Sequence, residues 1–280
     1  MAREWPKYGP TRNGHWGATG LRWVPVGKPR RPRLWWLIGG LAVFVVVAVI
    51  AGLDIARFSG SSDNRQATVN ITEPSTLSMP PVPITALDGM LASPADVAAA
   101  VSAPPLVSLT KPADSHAFFG DEIADNNCVG VVFAVVQSFY DGTGWVSMCR
   151  QELADSPDSA AIKYSVVEAV VAYHDAGAAG KFYQRATDRF HQCANRTLNV
   201  REVNVPNSAG AFEMVGQVSE KDGIVSTSLL WEGGDGRNCQ RGVSVRNNII
   251  IDVSDCGYNV SDSVIPALIK PIAAKIDTAR

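Results

Sequence analysis

The sequence predicts an α+β domain in which an antiparallel sheet has helices packed on one face. The domain is stapled by disulfide bonds and preceded by a single transmembrane helix. Three observations support this fold class. Between residues 85 and 280, β-branched runs are joined by tight turns such as Lys221-Asp222-Gly223, which is typical of antiparallel strands. Helical segments lie at the beginning, middle and end of this region, and two cysteines bracket its last hairpin, residues 239–256.

The first 53 residues carry the signals of a membrane anchor. Residues 1–33 form an arm rich in Pro and Trp, with eight Lys or Arg residues and one acidic residue. Residues 34–53 contain no charged side chain, and a helix of that length crosses a hydrocarbon core of about 30 Å. Because basic flanks stay in the cytoplasm, we expect a single-pass plasma-membrane protein with a cytoplasmic N-terminus and an extracytoplasmic C-terminal domain. A cleavable signal peptide is the alternative, although its apolar region would be shorter and nearer the N-terminus.

The next segments predict a linker and one globular domain. Residues 54–84 are dominated by Ser, Thr, Pro and small polar residues, which indicates a flexible linker. Residues 85–280 have the composition of a domain with a single core. The run KPRRPR could also bind nucleic acid or anionic lipid. Beside a membrane span, however, it is explained as the positive charge that keeps this flank in the cytoplasm. We therefore expect the lipid bilayer, through residues 34–53, as a partner, and no nucleic acid.

Capping residues and periodicity predict the helices of the domain. Ser93 and Pro94 indicate the start of a short helix over residues 93–103. Asp175 is the expected N-cap of a longer helix over residues 175–196. One face of that helix is apolar and contains Phe182, Ala186, Phe190 and Cys193.

The remaining elements are strands and a final helix. Runs rich in β-branched residues predict strands at 105–110, 130–138, 145–153, 163–173, 197–205, 211–220 and 223–232, before the closing hairpin. Residues 260–277 indicate a last helix, which Pro266 and Pro271 should kink or break.

The closing hairpin predicts a disulfide bond between its two cysteines. If Asn247-Asn248 is a two-residue loop, the register places Cys239 directly opposite Cys256 at a non-hydrogen-bonded pair. Cα atoms of such pairs are about 4.5 Å apart, within the range of about 4.4–6.8 Å that a disulfide bridges. An exported domain favours the bond. Three further cysteines remain, Cys128, Cys149 and Cys193, and their connectivity stays open because one of them is left over.

The sequence contains no motif of catalysis or metal binding. His116, His174 and His191 fall in no arrangement such as HExxH, and no GxSxG is present. The Gly-rich residues 232–239 lack the GK[ST] ending of a phosphate loop. We therefore expect no enzymatic activity, no cofactor and no metal. A pocket for a small molecule or lipid between sheet and helices stays open, because pockets need no motif.

The C-terminal part resembles a known family. The stretch CQRGVSVRNNIIIDVSDC, followed by GYNVSDSVIPALIKPIAAKI, looks like the extracellular sensor domain of the mycobacterial PknH-type serine/threonine kinases. The resemblance covers residues 85–280, and no part of the sequence resembles the kinase half. It implies an α+β sheet domain with a cleft for an unknown extracellular ligand, and it supplies no catalytic residue.

The same resemblance implies a pairing of the cysteines. Cys128, Cys193, Cys239 and Cys256 match the four family cysteines by context, and the family joins the first two and the last two. This implies the bridges Cys128–Cys193 and Cys239–Cys256 and leaves Cys149 as a free thiol. A buried, inert Cys149 and a Cys149 that pairs between chains are the alternatives.

Two hypotheses of function follow. The first is a membrane-anchored sensor of the mycobacterial cell envelope that binds an unknown extracytoplasmic ligand in a cleft. Its output would pass to a cytoplasmic partner protein. The second is an interaction or structural protein of the envelope that binds a protein or cell-wall polymer without a small-molecule pocket. A deep cleft favours the first hypothesis and a flat apolar patch the second.

Overall fold

The computed structural model describes residues 79–204, 211–234 and 236–279. Within them, nine strands form one sheet. The strands are β1 (Val107–Ser108), β2 (Trp145–Ala154), β3 (Ser165–Tyr173), β4 (Thr197–Asn199), β5 (Phe212–Val215), β6 (Ser219–Lys221), β7 (Ile224–Trp231), β8 (Arg237–Arg246) and β9 (Ile249–Tyr258). The helices are α1 (Pro94–Val101), α2 (Val129–Val132), α3 (Gln137–Tyr140), α4 (Ala176–Cys193) and α5 (Val264–Thr278). Short 3₁₀ helices are Ile84–Gly89, Pro112–Asp114 and Asn126–Cys128.

The sheet is antiparallel, which confirms the predicted α+β class. Its strand order is β1-β2-β3-β9-β8-β7-β5-β4, with β6 paired to β7. Neighbouring strands in this order pair antiparallel. The closing hairpin β8–β9 lies in the middle of the order because β9 pairs along the whole length of β3.

Helices cover both faces of the sheet, so the expectation of helices on one face is wrong. All nine residues of β3 are buried. They alternate between two apolar clusters, with Val167 and Ala169 in one and Val166 and Val170 in the other. Helix α4 contributes to the first cluster and α5 to the second. The run SVVEAVVAY explains this, because a strand buried on only one face would alternate with polar residues.

The predicted helix starts are confirmed. The Oγ of Ser93 accepts the backbone N–H of Asp96 at 3.2 Å, as an N-cap residue does. The Oδ1 of Asp175 accepts the backbone N–H of Ala178 at 2.7 Å. The predicted apolar face of α4 is buried over its whole length: Phe182, Ala186, Phe190 and Cys193.

The prediction of a strand at residues 130–138 is wrong. Val129–Val132 and Gln137–Tyr140 are short helices instead. The sequence there is VGVVFAVV, and a continuous apolar run fits a buried helix as well as a buried strand. The backbone polar groups of this segment are bound by side chains from β8 and β9, as described below.

Of the kink or break predicted for the last helix, the break is wrong. Helix α5 is assigned without interruption from Val264 to Thr278. Pro266 lies in the first turn, where backbone N–H groups have no partner within the helix. Pro271 lies inside the helix, and Ile272 after it is fully buried.

The register of the β8–β9 hairpin is as predicted. Asn247 and Asn248 form the two-residue loop, and Cys239 pairs with Cys256. Asn247 has a φ of 52°, a left-handed conformation that asparagine adopts more readily than most residues. A two-residue turn at these positions therefore correctly predicts that the two cysteines lie opposite each other.

The tip of this hairpin holds the first described residues of the chain. Asn248 is buried, and its side-chain amide bonds both the N–H and the C=O of Val82, at 2.8 and 3.2 Å. It also donates to the carbonyl of Tyr173 at 2.9 Å. Asn247 donates to the carbonyl of Pro80 at 2.7 Å. These bonds satisfy the backbone of an entering segment that has no strand partner.

The end of the expected linker is part of the domain, because Val82 is 2% exposed and Ile84 begins a 3₁₀ helix. The predicted arm at 1–33, the span at 34–53 and the rest of the linker lie outside the described residues. None of the helices in the described part of the chain combines the length and hydropathy that a bilayer crossing requires.

Three of the carboxyl groups that are buried in the sheet have raised pKa values. Burial raises the pKa of Glu213 to about 8, and it raises the pKa of Asp255 to about 7. Burial also raises the pKa of Glu168 to about 7, against an opposing hydrogen bond from Gln151. Because these pKa values lie above those of the unfolded chain, about 3.9–4.3, the folded state holds more protons between the two values. The free energy of unfolding should therefore fall as the pH rises from about 4 to 8.

The Glu213→Gln variant tests this dependence. Glutamine is neutral at every pH, so the variant should lose part of the decline in unfolding free energy between pH 5 and pH 8. A single group contributes a slope of up to about 1.4 kcal/mol per pH unit between its two pKa values. Urea denaturation at both pH values measures it. Glu232→Gln, at an exposed position just after β7, is the control, and equal slopes in both variants would contradict the assignment.

Candidate ligand cleft and its buried support

A cleft lies at the start of α4. Its volume is about 340 Å³, within the range of about 300–1,000 Å³ that is common for small-molecule sites. Two parts of the chain form it, namely the first turns of α4 and the loop before β2. The lining residues are Thr143, Asp175, Gly177, Ala178, Lys181, Phe182 and Arg185.

Two cationic side chains flank the cleft. Lys181 and Arg185 are four residues apart on α4 and therefore lie on the same face of the helix. Both are exposed. The one acidic residue of the lining, Asp175, uses its Oδ1 to accept the N–H of Ala178. The cleft therefore presents positive charge, which suits a ligand with an anionic group.

The floor of the cleft is aromatic. Phe182 stacks on Tyr140 with ring centroids 4.6 Å apart and planes at 12°. Its edge also meets Phe139, at a centroid distance of 5.3 Å. Tyr173 completes the group at 5.7 Å from Phe182. Phe182 is 3% exposed, so an apolar part of a ligand could touch only the edge of its ring while an anionic part meets Lys181 or Arg185.

Thr143 connects the loop to this floor. Its hydroxyl donates to the backbone carbonyl of Tyr140 at 2.6 Å, so it accepts from the Tyr173 hydroxyl at 3.0 Å. Burial raises the pKa of Tyr173 well above its ordinary value, which keeps this hydroxyl a donor at neutral pH. The glycines on either side, Gly142 and Gly144, have φ of 70° and 79°, a conformation that glycine adopts without strain.

A buried ion pair supports the floor from below. The Nη1 of Arg241 lies 2.6 Å from the Oδ1 of Asp252, and both side chains are fully buried. The Tyr140 hydroxyl donates to the Oδ2 of Asp252 at 2.6 Å. Burial, and then the negative charge of Asp252, raise the pKa of Tyr140 well above its ordinary value. The phenol therefore stays protonated, and Tyr140 is held under Phe182.

The same pair organises residues 129–136. Arg241 donates to the carbonyl of Gly130 at 3.0 Å, and Asp252 accepts the N–H of Val135 at 3.0 Å. Val135 has a φ of 62°, a left-handed conformation that is an outlier for a β-branched residue. Such a conformation persists where the surroundings over-determine it, and here the carboxylate of Asp252 fixes its N–H.

The predicted cysteine pairs are at disulfide distance. The two sulfur atoms lie 2.05 Å apart in Cys128 and Cys193 and 2.08 Å apart in Cys239 and Cys256. Cys149 is separate from both pairs and is 6% exposed.

His116, His174 and His191 do not lie close to one another. His174 and His191 lie at opposite ends of α4, and Nε2 of His191 contacts Oε1 of the exposed Glu220 at 2.6 Å. His116 lies in a loop beside β2. None of them lines the cleft.

The sequence predicts helix α4, which lines the cleft, but it does not predict the cleft itself. The signal that was available is the spacing of Lys181 and Arg185, which lie on a polar face beside Phe182. Thr143 is more than 30 residues away in the chain, and no local pattern connects it to α4.

An exposed apolar strip lies on the face of the sheet opposite α4. Phe212, Met214 and Leu230 are 42%, 47% and 45% exposed, and Met214 pairs with Leu230 across β5 and β7. Helix α5 contacts mainly β8 and β9, so this end of the face is not covered by α5. The strip is the type of surface that the second sequence hypothesis requires.

Comparison with known proteins decides the family. A sequence profile described as the PknH-like extracellular domain matches residues 82–275, most of the chain. The chain belongs to the PknH-like extracellular domain family. The resemblance expected from the hairpin sequence is thereby confirmed. The match is to the extracellular domain and not to the kinase domain of PknH, so it indicates no enzymatic role.

Relatives with this domain are mycobacterial kinases. Serine/threonine-protein kinase PknH of Mycobacterium bovis is 28% identical over 282 residues, which cover 97% of this chain and 43% of the kinase. PknH of Mycobacterium tuberculosis is 27% identical over 297 residues, which cover 97% and 41%. The chain thus spans less than half the length of the curated relatives that it matches.

A solved structure shows the same fold. The crystal structure of the extracellular domain of PknH from Mycobacterium tuberculosis aligns with a TM-score of 0.64 and 24% identity, over 71% of this chain and 98% of that chain. The PknH-like extracellular domain of this chain therefore has the fold of that domain.

Removing one charge of the buried pair should cost much stability. Arg241→Met leaves Asp252 buried without its cation, which should lower the free energy of unfolding by roughly 3–5 kcal/mol. Arg246→Met is the matched control, because Arg246 pairs with Asp277 at 2.7 Å on the surface, where such pairs contribute at most about 1 kcal/mol. Chemical denaturation compares the two, and equal losses would contradict the role of the pair.

A second variant keeps the test informative if Arg241→Met does not fold. Arg241→Met combined with Asp252→Leu removes both charges, and it should recover part of the loss because no uncompensated charge remains buried. A double variant less stable than Arg241→Met alone would also contradict the interpretation.

The Cys239→Ser variant tests the hairpin bridge. If Cys239 and Cys256 are joined, the substitution should lower the free energy of unfolding by about 2–4 kcal/mol. Intact-mass measurement with and without reductant checks the bridges directly. The wild-type protein with and without reductant is the control for both readouts, and an unchanged melting temperature for Cys239→Ser would count against the bond.

Proposed function

We propose that this chain is a single-pass plasma-membrane protein whose PknH-like extracellular domain senses or binds an envelope ligand in the cleft at the start of α4. The observation that carries the proposal is the combination in one cleft of an aromatic floor, Phe182, with two exposed cations, Lys181 and Arg185. Family membership supports an extracytoplasmic, sensor-type domain. The two bridges, Cys128–Cys193 and Cys239–Cys256, suit that compartment.

The proposed role is binding and not catalysis. The lining residues include no histidine or cysteine, and Asp175 is engaged as an N-cap. The hydroxyl of Thr143 donates to the backbone carbonyl of Tyr140 and not to a base, so the cleft lacks the activated hydroxyl or thiol that covalent catalysis uses. The ligand class that the geometry favours combines an anionic group with an apolar or ring-shaped part.

The proposed topology follows the charge of the sequence. The basic arm at 1–33 would lie in the cytoplasm and residues 34–53 would cross the bilayer. A signal from the cleft would then pass to a cytoplasmic partner protein through this arm.

A charge-reversal experiment tests the cleft. The full-length protein is purified in mild detergent from a mycobacterial envelope and examined by native mass spectrometry. We expect a bound mass that denaturation removes and that is lost in Lys181→Glu/Arg185→Glu. The control Lys163→Glu/Lys270→Glu makes the same change of net charge at exposed positions outside the cleft and should keep the bound mass.

Two outcomes would overturn the proposal. A bound mass kept by the cleft variant would mean that the cleft cations do not hold the ligand. A wild-type protein without any bound mass would move support to the second candidate, an envelope interaction protein that uses the strip of Phe212, Met214 and Leu230. Serine substitutions in that strip would then abolish association with the envelope partner, whereas Lys181→Glu/Arg185→Glu would not.

A further inference from the structure

Three metal-ligand side chains meet at a second place in the domain. Asp88 lies in the 3₁₀ helix Ile84–Gly89, His116 in the loop after Pro112–Asp114, and Cys149 in β2. Their ligand atoms, a carboxylate oxygen, an imidazole nitrogen and the Sγ, all lie within 4.8 Å of one another. No two of them are close in sequence, so no sequence motif of metal binding contains them.

The imidazole of His116 is oriented as a ligand. Its Nδ1 lies 2.7 Å from the carbonyl oxygen of Met148, and because a carbonyl only accepts, Nδ1 carries the proton. Its Nε2 faces the Oδ1 of Asp88 at 3.3 Å. A backbone carbonyl that fixes the far nitrogen is the usual outer contact of a metal-bound histidine.

The thiol is placed for a metal and not for nucleophilic chemistry. Cys149 is 6% exposed, and its thiol donates a hydrogen bond to Asp88. A cysteine nucleophile would need its base to be the imidazole, oriented by the carboxylate. Here Asp88 contacts both other groups, and Met148 occupies Nδ1.

The donor set selects the class of metal. One sulfur, one nitrogen and one oxygen ligand suit Zn²⁺, whereas Ca²⁺ and Mg²⁺ take oxygen ligands. In a tetrahedral site with bonds of about 2.0–2.3 Å, ligand atoms lie about 3.3–3.8 Å apart. The side chains of Asp88 and His116 are 73% and 54% exposed, so they can turn inward by the remaining distance while Cys149 stays in place.

We propose that Asp88, His116 and Cys149 form a Zn²⁺ site whose fourth position is open to solvent. The ion would replace the thiol proton and would join the first 3₁₀ helix of the domain to β2. The site does not depend on the proposed ligand cleft, since the two have no residue in common.

Cobalt is the probe for this site. The full-length protein in detergent, kept without reductant and stripped with a chelator, is titrated with Co²⁺ and then with Zn²⁺. We expect one Co²⁺ per chain with a thiolate-to-cobalt charge-transfer band, displaced by Zn²⁺, and release of the thiol proton on binding. Zn²⁺ should also raise the melting temperature of the wild-type protein.

Four variants distinguish the site from adventitious binding. Cys149→Ser should lose the band and the melting shift, and Asp88→Asn and His116→Gln should weaken binding by at least the roughly 10–100-fold that even outer-shell changes cause. His191→Gln is the matched control, because His191 forms the same kind of pair with Glu220 but without a thiol, and it should bind as the wild type does. Absence of the band in the wild type, or unchanged affinity in both Asp88→Asn and His116→Gln, would overturn the proposal.

Discussion

The structure depends on one buried ion pair, Arg241 with Asp252, at the centre of the sheet. Two desolvated charges are costly unless every remaining donor and acceptor finds a partner. Arg241 also binds the carbonyls of Gly242 and Val253, at 2.9 Å each, and that of Gly130, whereas its Nε has no hydrogen-bond partner among the described residues. Asp252 accepts from Tyr140 and from the backbone of Val135. Two neighbouring strands, an irregular apolar segment and the aromatic floor of the cleft are thus held by one pair of charges.

This arrangement explains why the cleft lies where it does. The apolar segment 129–136 has too few polar side chains to define its own path, and the sheet supplies the missing polar partners. Once Val135 and Tyr140 are in place, Phe182 of α4 has a surface on which to stack. The cations of α4 then project beside that ring because Lys181 and Arg185 flank Phe182 in sequence and share a helix face. The position of the cleft is therefore set by contacts beneath its lining.

Local rules were sufficient for some parts of this fold. The two-residue turn at Asn247-Asn248 determines the pairing of Cys239 with Cys256, and side-chain caps determine the start of α4. They failed at residues 130–138, whose conformation is decided by Arg241, more than 100 positions later in the chain. They also failed for the cleft and for the cluster of Asp88, His116 and Cys149, because each brings together residues from separate elements. The run SVVEAVVAY of β3 does contain the information that both faces of the sheet are covered, because it does not alternate between apolar and polar residues.

The amide of Asn248 has a mechanical consequence. The chain enters the domain at Pro80 and Val82, and both are held by the tip of the central hairpin, not by an edge strand. Tension applied to the chain ahead of Pro80 would therefore be transmitted through a side-chain clamp to β8, β9 and the end of β3 at once. An edge strand could be peeled away bond by bond, but a load distributed over three central strands has to shear them together. A domain built in this way is suited to bear load that is applied through the chain before Pro80.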